Sequence, residues 1–147
     1  MPALTRRLYP ERPDCWHVYY DDVHAGTIAR RVGNPHDTDQ WEWICGFYPG
    51  CGPGEYEDAT AATFEQARAG FEEAWQRLLP KRTEADFEAW RNHQTFTSWK
   101  YRMHDTGTKL PTELASGRSH CFCGAEITIA SVNQHILAAH VKDPKYA

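Results

Sequence analysis

Near its C-terminal end the chain reads Cys121-Phe122-Cys123, then eleven intervening residues to His135 and four more to His140. Two soft sulfur donors and two imidazoles at this spacing can close a tetrahedral site around one zinc ion. No other feature constrains the fold as strongly. A segment of about thirty residues buries too little surface to fold alone, whereas zinc held by two thiolates and two imidazoles contributes on the order of 10–16 kcal/mol.

The surrounding residues agree with the donors. Ile127 is separated from Cys123 by three residues and Val132 from His135 by two, which supplies an apolar neighbour for each donor pair. Ser131 and Gln134 form a Ser-x-x-Gln pattern that predicts a capped helix starting there and carrying both histidines. In an extended strand residues 121 and 123 point to one face, so both sulfurs reach one ion while His120 and Phe122 point away. His120 is the reserve ligand should this short knuckle fail to place both sulfurs. On a regular helix five residues turn through about 140° beyond a full turn, so the segment between His135 and His140 must tighten or loosen.

Donors, apolar residues and helix start together resemble a Cys-Cys-His-His (ββα) zinc finger over about thirty residues. Two spacings depart from the common pattern: the knuckle is Cys-x-Cys, and the cysteine-to-histidine gap is one residue short. The resemblance implies one structural zinc on Cys121, Cys123, His135 and His140. It also places Thr128, Ser131 and Gln134 where such fingers face the DNA major groove. None is arginine, the commonest base-reading residue, so contacts to DNA or RNA would also need Arg30 and Arg31, the Arg6/Arg7/Arg12 arm, or Lys100 and Arg102 within Trp99-Lys100-Tyr101-Arg102.

The 147 residues suit one ordinary domain plus a small appendage. No stretch approaches the roughly twenty apolar residues of a membrane span, and the first residues lack the apolar run of a signal peptide. A cytoplasmic protein with reduced thiols is expected, since Cys15, Cys45 and Cys51 show no framework spacing. The net charge is −4; Arg118, Lys142 and Lys145 against Glu126 and Asp143 leave about +1 after Ser116 and about −5 elsewhere. Proteins that depend on phosphate contacts usually carry a stronger basic footprint.

Before the metal-ligating segment the pattern predicts an α+β domain over residues 14–106 and a linker over 107–117, with the finger at 118–147. Residues 1–13 read as an irregular arm. Strands are expected at Trp16 to Tyr20, about 26–32 and about 40–48, with a hairpin at Asp21-Asp22, giving a three-stranded antiparallel meander packed against helices. Pro49 to Gly54 form a glycine-proline loop. A helix capped by Thr63 and Gln66 follows, with Phe64, Ala67, Phe71, Ala74, Trp75 and Leu78 on one face. Pro80 ends it, Thr83 and Asp86 open a second helix to about residue 92, and a short third lies near 98–103.

The run Trp41 to Gly50 with the Thr63 helix resembles small uncharacterised bacterial proteins, and Pro49-Gly50-Cys51 with that helix is loosely similar to HicB-like antitoxins. No catalytic residue is expected. Cys45 or Cys51 could pair with His17, His24 or His36, but no local pattern activates either thiol, and adjacent acids such as Asp21-Asp22 more often form turns. The expectation is a non-enzymatic zinc-binding regulatory or adaptor protein of a bacterial cell, with nucleic acid, DNA or RNA, slightly favoured as its partner. The alternative is a protein-interaction module, antitoxin-like or inhibitor-like, with a purely structural zinc. No small-molecule substrate and no membrane partner are evident.

Overall fold

The first sixty-one residues hold more sheet than the three expected strands. The computed structural model describes residues 2–141, so Met1 and the expected finger charges Lys142, Asp143 and Lys145 lie outside the described residues. The chain divides into two compact units, Met1–Trp90 and Arg91–Ala147.

The first unit holds five strands, β1 (Leu4–Leu8), β2 (Cys15–Tyr20), β3 (Val23–Arg30), β4 (Trp41–Cys45) and β5 (Glu57–Ala61). They form one antiparallel meander in the order β1-β2-β3-β4-β5. The two-residue connection Asp21-Asp22 joins β2 to β3 as expected, with Asp21 at φ +54°, a conformation that Asp tolerates better than most residues. The added strands are both edges. β1 lies where an irregular arm was expected and pairs Leu4 with Tyr20 through Leu8 with Trp16. β5, Glu-Asp-Ala-Thr-Ala, has little intrinsic strand preference and forms by pairing with β4.

Val18, Ile28, Trp43 and Cys45 lie in one core with Ala67, Phe71, Ala74, Trp75 and Leu78 of α1 (Phe64–Leu78). Their three- and four-residue spacing places the helix on the sheet. The Thr63 hydroxyl accepts from the Gln66 N–H at 3.2 Å, while Gln66 Oε1 accepts from the N–H of Ala62 at 3.2 Å. Gly70 permits a close approach: a Cβ there would stand 2.7 Å from Trp43 Nε1.

A reciprocal cap starts α2 (Glu84–Asp105): Asp86 Oδ2 accepts from the Thr83 N–H at 2.7 Å and Thr83 Oγ1 from the Asp86 N–H at 3.3 Å. The two helices expected here are one, with 22 residues. Residues 93–97 (His-Gln-Thr-Phe-Thr) are middling helix formers but include no glycine or proline to stop it.

Candidate metal centre

The second unit is built around a small core. Trp99 and Met103 from α2 pack with Cys121, Ile127 and Ile136, and Phe96, Leu110, Phe122 and Val132 lean against them. The strands β6 (Arg118–His120) and β7 (Glu126–Thr128) pair antiparallel, with Ser119 opposite Ile127, and α3 (Val132–Ala139) follows. Two strands and a helix in this order are compatible with the ββα arrangement.

Cys121 and Cys123 do not lie on the extended strand expected for them. They occupy the tight turn after β6, closed by the Gly124 N–H donating to the Cys121 carbonyl at 2.8 Å and by the Cys121 N–H donating to the Ala125 carbonyl at 2.8 Å. Gly124, at φ +95°, supplies the left-handed residue that this turn needs. The turn brings both sulfurs to the same side without a second spacer residue.

Ser131 precedes α3 as expected, yet it makes no helix cap with its side chain. Its hydroxyl accepts from the Thr128 N–H at 2.9 Å and from the Thr128 hydroxyl at 3.1 Å, so the expected box with Gln134 is replaced by a local turn. At the other end, the His140 N–H still donates to the Ile136 carbonyl at 2.9 Å, but His140 caps the helix at φ −122°. Leaving helical geometry at this residue swings its ring toward His135, the adjustment that a four-residue gap demands.

The four donor atoms consequently meet. Cys121 Sγ is 3.3 Å from His140 Nε2, Cys123 Sγ is 3.5 Å from His135 Nε2, and the two Nε2 atoms are 3.2 Å apart. All four lie within 4.8 Å of one another. Metal–sulfur bonds of ~2.3 Å and metal–nitrogen bonds of ~2.05 Å at tetrahedral angles give edges of about 3.6 Å for S···N and about 3.4 Å for N···N. Three of the six donor spacings fall near these edges, and the set is compatible with a single-metal site. No protein-family model, curated protein or solved structure matches the chain.

Burial grades across this cage. Cys121 is buried and Cys123 exposed, with both histidines half-buried. Burial pushes the Cys121 thiol up, while the Cys123 backbone N–H and the Trp99 indole pull it back and the neighbouring Cys123 thiol raises it further. His120 is exposed on β6 opposite Glu126 and is not one of the four converging residues. The remaining cysteines are buried in the first unit: burial carries Cys45 up to about 12 and raises Cys51, which suits neutral packing thiols.

The residues expected to face nucleic acid are distributed over both units. In the first, Arg30 lies 3.9 Å from Asp14, and the Arg31 guanidinium donates to the Asp39 carbonyl at 2.8 Å. In the second, Lys100 and Gln134 are exposed, Thr128 and Ser131 bond each other, and the Arg102 guanidinium carbon sits 4.5 Å from the Phe122 ring centroid.

Two contributors were not expected from the sequence. Ile136, 2% exposed, rather than Val132, is the main apolar residue of α3. Trp99 donates its indole N–H to Cys121 Sγ at 3.3 Å. The signal for the latter was the apolar stripe Phe96, Trp99, Met103, which the basic residues of the same stretch had obscured.

Proposed function

We propose that this chain is a non-enzymatic adaptor or regulatory protein whose second unit is a ββα-like module held together by one structural zinc on Cys121, Cys123, His135 and His140. The observation that carries this reading is the agreement of three donor spacings, 3.3, 3.5 and 3.2 Å, with the edges of a tetrahedral S₂N₂ cage. Soft thiolates with imidazoles favour zinc over the hard, oxygen-seeking divalent cations. Four protein donors fill the coordination sphere and leave no position for a reacting water, which suits a structural ion. Metal analysis after zinc-replete expression is expected to give one zinc per chain, and substantially less than one would sink the proposal.

For the partner, the surface of the module favours a protein over nucleic acid. The helix α3, Val-Asn-Gln-His-Ile-Leu-Ala-Ala, carries no arginine or lysine. The hydroxyls of Thr128 and Ser131 are occupied with each other, whereas Ile129 and Leu137 are exposed. Base readers need charged or amide donors, and interface cores are enriched in apolar and aromatic groups. Retardation assays on duplex DNA and on RNA at about 50 and 200 mM salt separate the two, because binding through phosphates weakens steeply over that range. Salt-sensitive retention would restore the nucleic-acid reading with Arg30, Arg31, Lys100 and Arg102 as the residues to substitute. No shift at the lower salt supports a protein partner.

A further inference from the structure

A buried indole N–H without an acceptor is costly, so the partner that Trp99 has found is informative. The ring is 4% exposed, and Nε1 donates to Cys121 Sγ at 3.3 Å. A neutral thiol is a weak acceptor, whereas a thiolate makes a charge-assisted bond roughly twice as strong as a neutral one. The bond gains strength when the sulfur carries charge, as a metal-bound cysteine does.

The same helix makes a second approach to the cage. One turn beyond Trp99, Arg102 stacks on Phe122 at 4.5 Å, and Phe122 contacts the His140 ring at 4.7 Å between centroids. Both rows of contact run from α2 to a ligand: Trp99 to Cys121, and Arg102 through Phe122 to His140. Outer-shell partners of this kind orient ligands and tune a metal, and losing one typically costs 10–100-fold in affinity.

We propose that Trp99 is a positioning residue of the metal centre, its indole N–H holding the Cys121 thiolate, so that the functional module includes the second half of α2. This role rests on the metal reading above. It differs from simple core packing in requiring the N–H itself, which a shape-preserving replacement can remove.

The experiment uses the full chain loaded with Co(II), whose sulfur-to-metal charge-transfer band reports the electron density on the thiolates. Trp99 is replaced by β-(3-benzothienyl)alanine, which keeps the ring shape and lacks the N–H, and separately by Trp99→Phe. Met103→Leu, at another fully buried position of the same core, serves as the packing control. Both Trp99 replacements are expected to bind one Co(II) per chain, to shift the band to lower energy as the thiolate loses its donor, and to lower affinity in chelator competition by about tenfold. Met103→Leu should leave the band where it is. An unshifted band and unchanged affinity with the benzothienyl residue would overturn the inference while leaving the metal reading standing. A wild-type chain that takes up neither Co(II) nor zinc would overturn both.

Discussion

Stripping the ion with a strong chelator is expected to unfold the second unit and leave the first folded. Among the described residues fifteen buried ones form the core of the first unit, against five in the second, and one of those five is Cys121, a proposed ligand. Zinc bound by such a site is worth on the order of 10–16 kcal/mol, as large as the whole ~5–15 kcal/mol net stability of an ordinary domain. The apo form of the second unit should therefore lie on the unfolded side. A thiol reagent in native buffer reads this directly. With metal bound, none of the five cysteines should react quickly. After chelation Cys121 and Cys123 should react, while Cys15, Cys45 and Cys51, at 3%, 1% and 6% exposed, stay protected until denaturant is added. Trp99 gives a second reading, since it is the only tryptophan of the second unit among six in the chain, so the emission of one indole in six should shift to the red. Reaction of Cys123 alone with unchanged fluorescence would mean that the core holds without the ion, and the reasoning would fail. Reaction of all five thiols would equally refute the independence of the first unit.

Gly70→Ala would normally stabilise a helix interior by about 1 kcal/mol, but here the new methyl would meet the buried Trp43 indole at 2.7 Å, so a net loss of about 1–2 kcal/mol in the first unit is expected by denaturant titration. A gain in stability would show that the indole moves aside freely. Burial, and then Cys51, lifts Cys45 from its ordinary 9.0 to about 12, so the folded state favours the protonated thiol. That preference has no effect below about pH 9 and costs stability as pH rises towards 12, at ~1.4 kcal/mol per unit and at most about 4 kcal/mol. Wild type should accordingly lose more stability than Cys45→Ala over this window, and parallel curves would contradict the shift. His120→Ala should leave the zinc content unchanged, because His120 is not one of the four converging residues; loss of the ion on metal analysis would make it a ligand.

Legibility differed with the range of the interactions. The α1 cap and stripe, the Asp21-Asp22 turn and the convergence of Cys121, Cys123, His135 and His140 were readable because each rests on residues close in sequence whose chemistry allows few alternatives. β1 and β5 were not readable, because Arg6 and Arg7 in one and Glu57 and Asp58 in the other mark exposed edges whose strand character comes from pairing with β2 and β4. The division of α2 failed for a related reason: the polar residues between Asn92 and Thr97 looked like a break, but helices end at glycine, proline or a cap more reliably than at polarity. The division at 107–117 is a statement about what folds alone, which truncation at 91 against truncation at 118, each with zinc, would measure.

The shortened spacings and the contact with α2 have a common physical origin. A Cys-x-Cys turn and a gap of eleven residues accompany an α3 only eight residues long, with His140, the last proposed ligand, at the cap rather than within the helix. An isolated helix of that length is marginal in water, and a three-residue strand on each side of a turn adds little. The missing apolar partners are supplied by Trp99 and Met103, which bury Ile127 and Ile136 from the α2 side. A ββα segment of this economy is thus expected to depend on its neighbouring helix for packing and on the ion for closure. Truncation at 118 in the presence of zinc should yield a chain that still binds metal through four donors but shows weaker amide protection than the chain truncated at 91, since only the longer of the two keeps Trp99 and Met103. Equal protection in both would mean that the ion alone holds the segment and that α2 adds nothing to it.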